Sequence, residues 1–326
     1  MVNHTPAQST ASKLLEWSSE RFPVAMLVVG LPTFLSAHLA GSAWRADGSG
    51  QVSLGLEIVA GWIAAVCFLL SVRIFDEFKD YADDCKLHPE RALSRGRVTL
   101  DQLGRLNIAS IGVQLIYCLF IDRGVGVVTS TWAVAWLWLL AMRVEFFVSS
   151  WLRPRIVLYA LSHAVVTPLA TWWMFASGSR SLRGGAVLAW CLIAAYASSL
   201  LFEFARKTLA PDDEVVGAAT YSSTLGTARA SSTICATAVC YLVAVGFEVD
   251  ALVHRMGAPS AWRVGFVVLS AVLSVAVVTT YLRFAKDPTS KTHAWCEPLS
   301  ALTMLAPALF IIVLVLLESD VHWSLR

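Results

Sequence analysis

Apolar runs of roughly 18 to 24 residues, each long enough to cross a hydrocarbon core of about 30 Å, recur nine times along this chain. They lie near 23–43, 51–74, 104–121, 125–148, 156–176, 184–204, 229–248, 263–283 and 297–317. The expected fold is therefore all-α, a polytopic membrane protein built as a bundle of about nine transmembrane helices. Composition agrees: 57% of the 326 residues are hydrophobic, 15% are charged, and the mean hydropathy is +0.64. That balance lies outside the range of a soluble globular domain.

Basic residues in short loops stay on the cytoplasmic side of a membrane. With the N-terminus inside and nine spans, most of the 25 Lys and Arg residues fall in inside segments, while Arg45, Arg123, Arg180, Arg183, Arg255, Arg263 and Arg326 fall outside. The charge bias thus supports both the span count and the orientation. Residues 1–22 form an inside N-terminal segment without the basic start and short apolar core of a cleavable signal peptide. A single helical domain over 23–320 follows. The seven cysteines show no Cys-x-x-Cys pair and no zinc-like spacing, so small apolar packing is their expected role. A net charge of +2 with no basic, aromatic-interleaved patch gives no reason to expect a nucleic-acid partner. The 19 Arg against 6 Lys hint at a GC-rich genome, which does not decide between a bacterial plasma membrane, the favoured expectation, and an endomembrane.

The inside connections at 75–103 and 205–228 are long and polar, and function is expected there. The stretch "RIFDEFKDYADDCKLHPERALSRG" places five acidic residues between Asp76 and Asp84. If the second span continues as a helix past Phe75, a turn of about 100° per residue puts Asp76, Asp80, Asp83 and Asp84 on one face. So many carboxylates beside a bilayer need a cation. Oxygen-only ligands favour a hard ion, and Mg²⁺ is commonly held by one or two carboxylates together with water and substrate phosphate. The bland alternative is a solvated loop whose charges pair internally, using Lys79, Lys86, Arg91, Arg95 and Arg97.

A second cluster ends the sixth span. In "FEFARKTLAPDDE", Glu203, Arg206 and Lys207 share a helical side, and Pro211 stops the helix, leaving Asp212, Asp213 and Glu214 in the loop. Carboxylates with Arg and Lys at one end of a helix bundle suit a metal-bridged polyanion, such as an amphiphile with a diphosphate head and an apolar tail. Thirteen Trp are available to such a tail, and aromatic faces stabilise cations. Most Trp are nevertheless expected to anchor or pack, for example Trp132, Trp136 and Trp138.

These residues resemble the UbiA-type intramembrane prenyltransferase superfamily, which carries N-D-x-x-D-x-x-x-D after its second helix and D-x-x-x-D after its sixth, in a nine-helix bundle. Asp76, Glu77, Asp80 and Asp84 occupy the first pattern, with Asp for Asn and Glu for the first Asp. "RALSRGRV" is similar to the family's R-P-L-x-x-G segment, keeping Arg91 and Gly96 with Ala92 for Pro. Glu203 and Lys207 stand at the two acidic positions of the second pattern, and "YSSTLG" resembles a later family segment ending in Leu-Gly. The resemblance implies Mg²⁺-assisted departure of diphosphate from an allylic prenyl diphosphate. It implies metal-side roles for Asp76, Asp80, Asp84 and Glu203, with Asp212 or Asp213 available to replace the carboxylate lost at Lys207. Arg91, Arg206 and Lys207 are the expected diphosphate-side residues.

The cation so formed is captured either by a small aromatic acceptor, the commoner outcome in the family, or by the chain's own alkene in a terpene cyclase. Glu145 could act as a base, with a salt bridge to Arg143 or Arg153 as the favoured expectation. His163, alone on an apolar helix, is expected to be a hydrogen-bonded core residue. Ion transport is the reading from a different class. It is disfavoured because the charges cluster at span ends and mid-span positions are nearly all apolar.

Overall fold

The computed structural model describes residues 9–45, 51–215, 217 and 219–324, without the side chains of 24–29, 51, 53 and 324. Helices α1 (Thr10–Arg21), α2 (Val24–Arg45) and α3 (Leu56–Leu87) are followed by α4 (Leu100–Asp122) and α5 (Val127–Arg143). After a tight turn come α6 (Ser149–Leu152), α7 (Ile156–Ala164) and α8 (Val166–Ser179), the last two forming one span, and then α9 (Gly185–Arg206). The chain continues through α10 (Tyr221–Leu225), α11 (Thr227–Met256), α12 (Ala261–Lys286), α13 (Ser290–His293) and α14 (Cys296–Leu317).

Seven of these segments are long and apolar enough to cross a membrane. The other two expected spans are α2, with 22 residues, and α5, a shorter apolar helix of 17 residues. Successive spanning helices pack side by side from α2 to α14, and α14 returns to α2 and closes the ring. The all-α membrane bundle expected from the apolar runs is the fold observed.

The ring is drawn tight where α2 meets α8. A Cβ on Gly178 would lie 2.0 Å from the His38 carbonyl oxygen, and one on Gly41 would lie 2.2 Å from that of Phe175. Lipid offers no hydrophobic drive between helices, so close backbone approach through small residues is how such a contact gains packing energy. Beside it, His38 Nδ1 lies 2.9 Å from Ser177 Oγ.

Three boundaries differ from those of the apolar runs. Residues 51–55, assigned to the second span, form strand β1 (Gln51–Gly55), which pairs in parallel with β2 (Asp320–Ser324) beyond α14. The long connection at 75–103 begins as helix, because α3 runs on to Leu87. At about 1.5 Å per residue its 32 residues exceed the hydrocarbon thickness, so the part beyond Phe75 projects past the membrane. The fourth span ends early, at Arg143, because Glu145, Phe146 and Phe147 all take positive φ (47°, 53° and 61°). Such conformations cost non-glycine residues about 1–2 kcal/mol each.

The N-terminal segment also has structure. Trp17 of α1 is buried with Ile74, Ala92, Leu93, Val98 and Leu103, and Glu20 accepts the Ala92 backbone N–H at 2.8 Å. Helix α1 therefore packs onto the projecting end of α3 and the turn that follows it.

Candidate functional site

The C-terminal ends of α3 and α9 carry the two charged clusters, and α7 lies between them: Tyr159 meets α3, while the Ile156 carbonyl accepts the Tyr221 hydroxyl at 3.5 Å. Among the described residues no hydrogen bond or ion pair joins the clusters directly.

On α3 the carboxylates diverge. Asp76 and Asp80 flank the Lys79 ammonium, at 3.2 and 3.8 Å, and Lys79 also donates to the Tyr159 hydroxyl at 2.6 Å. Asp84 points elsewhere, into Arg91 at 2.9 Å and Arg21 at 3.2 Å. Asp83 faces Arg153 at 3.4 Å. Glu77, at the family's first Asp position, is 2% exposed and bound by Arg21 at 2.6 Å and Arg73 at 2.8 Å. It anchors α1 to α3. The helix does continue as expected, yet the single acidic face is split by partners from other elements.

Electrostatics follow this arrangement. Burial opposes charge on Lys79, but Asp76, Tyr159 and Asp80 outweigh it and hold the ammonium above the ordinary lysine range. Burial pushes the Asp80 carboxyl up to about 6, with Asp76 and Asp84 adding to the rise and Lys79 and Arg153 opposing it. For Glu145, burial works against ionisation, and the Arg153 hydrogen bonds more than offset it, leaving the carboxyl below its usual range.

At the end of α9, Glu203 is closed on itself, with Arg206 2.7 Å from one carboxylate oxygen and Lys207 2.6 Å from the other. Pro211 opens a 3-10 turn, Pro211–Asp213. Asp213 accepts from Ser290 at 3.0 Å, and the structure does not bring it to Glu203. Glu214 instead accepts the hydroxyls of Thr220 and Ser222 at 2.7 and 2.6 Å, which places "YSSTL" as α10.

The donor chemistry suits Mg²⁺ at one place. Among the described residues no three acidic, His or Cys side chains converge as a metal cage, but Mg²⁺ commonly takes only one or two carboxylates and fills its sphere with water and phosphate. Asp76 and Asp80 offer two such groups on adjacent turns.

Sequence reasoning missed what lies beneath Asp76. A small cavity of about 10 Å³, roughly one water in size, is lined by Asp76, Lys79, Arg143 and His163, with Phe75 and Met142 on its apolar side. The Arg143 guanidinium stacks 4.9 Å from the Phe75 ring and 5.2 Å from Phe78. Phe75 meets Trp136 edge-on at 5.8 Å. Trp136 and Trp132 both donate to Gln114 Oε1, at 2.8 and 3.0 Å, so these Trp pack inside the bundle. Glu145 spends both oxygens on Arg153, at 2.9 and 2.8 Å, which is the salt bridge expected. Glu248, at the end of the 229–248 run and inside α11, is an acidic residue buried in the core.

Comparison with known proteins places this geometry in a fold. No family model matches the chain, and no curated protein matches it. A solved structure of a digeranylgeranylglyceryl phosphate synthase in membranes has a TM-score of 0.60 at 14% identity, covering 93% of this chain and 98% of that one. The all-α membrane fold that the UbiA-type resemblance implied is the fold this chain shares with that synthase.

Proposed function

We propose that the chain is an intramembrane prenyltransferase of the UbiA type. It transfers the prenyl group of an allylic prenyl diphosphate to a small aromatic acceptor. The observation that carries this reading is the placement of two charged clusters at the C-terminal ends of α3 and α9 in the shared fold, the α3 cluster lining a small cavity that is polar on one side and apolar on the other.

Asp76 and Asp80 would hold Mg²⁺, which when bound neutralises charge on the departing diphosphate. Lys79 donates to the diphosphate oxygens from between the two carboxylates. Arg206 and Lys207 take oxygens from the α9 side as planar and point donors respectively, and Glu203 holds that pair in place. Arg91 acts through Asp84, fixing the projecting end of α3. Phe75 forms the aromatic wall of the cavity, backed by Trp136. Such a wall shelters a cation from water and stabilises it through ring faces.

The same aromatic wall supports cyclisation of the prenyl chain as the alternative. Detergent-purified protein supplied with geranyl, farnesyl or geranylgeranyl diphosphate, with and without 4-hydroxybenzoate or a quinol, separates the two. Prenylated aromatic product is the result expected. A cyclic hydrocarbon formed without acceptor would replace transfer by cyclisation.

A further inference from the structure

The Tyr159 carbonyl settles which nitrogen of His163 carries a proton. His163 Nδ1 lies 2.9 Å from that carbonyl oxygen, and a carbonyl only accepts; the Ser162 hydroxyl, 3.2 Å from Nδ1, donates its own hydrogen to the same carbonyl at 2.9 Å, so the Nδ1–H is the donor. In the neutral ring Nε2 is then the bare lone pair. Nε2 is fully buried and has no hydrogen-bond partner among the described residues, and a buried acceptor left unsatisfied costs about 1–3 kcal/mol.

The ring is held by more than one contact. It stacks on Tyr159 with centroids 3.9 Å apart and planes 14° apart, and Phe146 meets it edge-on at 5.6 Å. Phe146 is the middle residue of the positive-φ turn. Strain of that kind persists where surrounding structure over-determines it, and it concentrates at functional sites. The groups facing the ring are Asp76 and Lys79 from α3, Arg143 from α5, Glu145 from the strained turn and Tyr159 from its own helix.

We propose that His163 Nε2 is the proton acceptor of the coupling step, a role that rests on the prenyl-transfer reading above. The acceptor molecule is then one that gives up a proton as it is alkylated, a phenol O–H or an aromatic ring C–H. The allylic C–O bond breaks with its electron pair leaving on diphosphate, and a new bond forms from the acceptor to the allylic carbon. The acceptor's proton passes to Nε2, giving an imidazolium protonated at both nitrogens. The departing diphosphate carries that proton away, which restores the neutral ring without any change of oxidation state. Glu145, the other candidate base on this side, is held by Arg153.

The test measures the ratio of prenylated product to diphosphate released, for wild type, His163→Gln and His163→Phe, using geranylgeranyl diphosphate with 4-hydroxybenzoate. A positioned base contributes about 10²–10⁴-fold, so the ratio is expected to fall at least about tenfold in both variants as water captures the cation. An unchanged ratio in variants that still release diphosphate overturns the role of His163 and leaves the prenyl-transfer reading standing. No diphosphate release from wild type with any prenyl diphosphate overturns that reading and this role with it. Histidine-labelled ¹⁵N NMR provides a readout besides turnover, with the His163 signals assigned by their loss in His163→Gln. Wild type is expected to show an unprotonated Nε2 that shifts when farnesyl thiodiphosphate is added; an Nε2–H tautomer overturns the proposal.

Discussion

Lys79 donates to the Tyr159 hydroxyl at 2.6 Å while its ammonium lies between Asp76 and Asp80. One internal cation thus joins the acidic helix α3 to α7 and occupies the position between two carboxylates that a metal would share. Replacing it with an apolar side chain frees both carboxylates. Lys79→Met is expected to bind Mn²⁺, read by electron paramagnetic resonance, at least severalfold more tightly without substrate. Turnover is expected to fall about 10-fold or more, because a charge-assisted donor to phosphate is lost. Weaker Mn²⁺ binding would show that Lys79 supports the metal site.

Asp80 gives the site a pH dependence whose sign can be worked out. Its carboxyl is raised from the usual 3.8 to about 6, so the folded state binds the proton more tightly than the unfolded chain. The associated stability is present below about 4 and is lost as pH rises through about 6. Metal binding needs the opposite, ionised form. Metal-dependent activity is therefore expected to rise through pH about 6, and Asp80→Asn is expected to abolish that limb in a pH–rate profile.

Arg21 pins α1 to α3 through Glu77, which is 2% exposed. Arg21→Ala leaves Glu77 with Arg73 as its one remaining ion-pair partner among the described residues. Losing a hydrogen bond to a buried charged group costs about 1.5–3 kcal/mol, so a lower melting temperature in detergent is expected. Asp84 also loses a partner, and the end of α3 loosens. A variant that melts like wild type would make the α1 contact incidental.

The α2–α8 contact leaves no room for a side chain at Gly178. Overpacking costs about 1–3 kcal/mol, and the blocking atom is backbone, which cannot rotate away. Gly178→Ala should lower the melting temperature, whereas Gly112→Ala, with open space around it, should not.

Span periodicity made the fold readable because each apolar run must cross lipid by itself, and the continuation of α3 past Phe75 followed from local helix geometry. The division of the acidic face was hidden. Asp84 is turned by Arg21, 63 residues away in sequence, and Lys79 is held by Tyr159, 80 residues away. Helical spacing says which side a carboxylate occupies but not which cation will claim it. His163 looked like a core histidine, and its Nδ1 behaves as one; the role proposed for it uses the other nitrogen, whose surroundings are set by α3 and α5. The turn at Glu145–Phe147 has no glycine to announce its positive φ, so the early end of α5 left no local trace.

The most direct measurement of the central claim is diphosphate release from geranylgeranyl diphosphate by purified wild type and Asp80→Asn, each with Mg²⁺ and with chelator. The account predicts release by wild type that depends on Mg²⁺ and falls by about 10²-fold or more in Asp80→Asn, the scale of a lost electrostatic catalyst. Equal release by both proteins, or release indifferent to chelator, would contradict it.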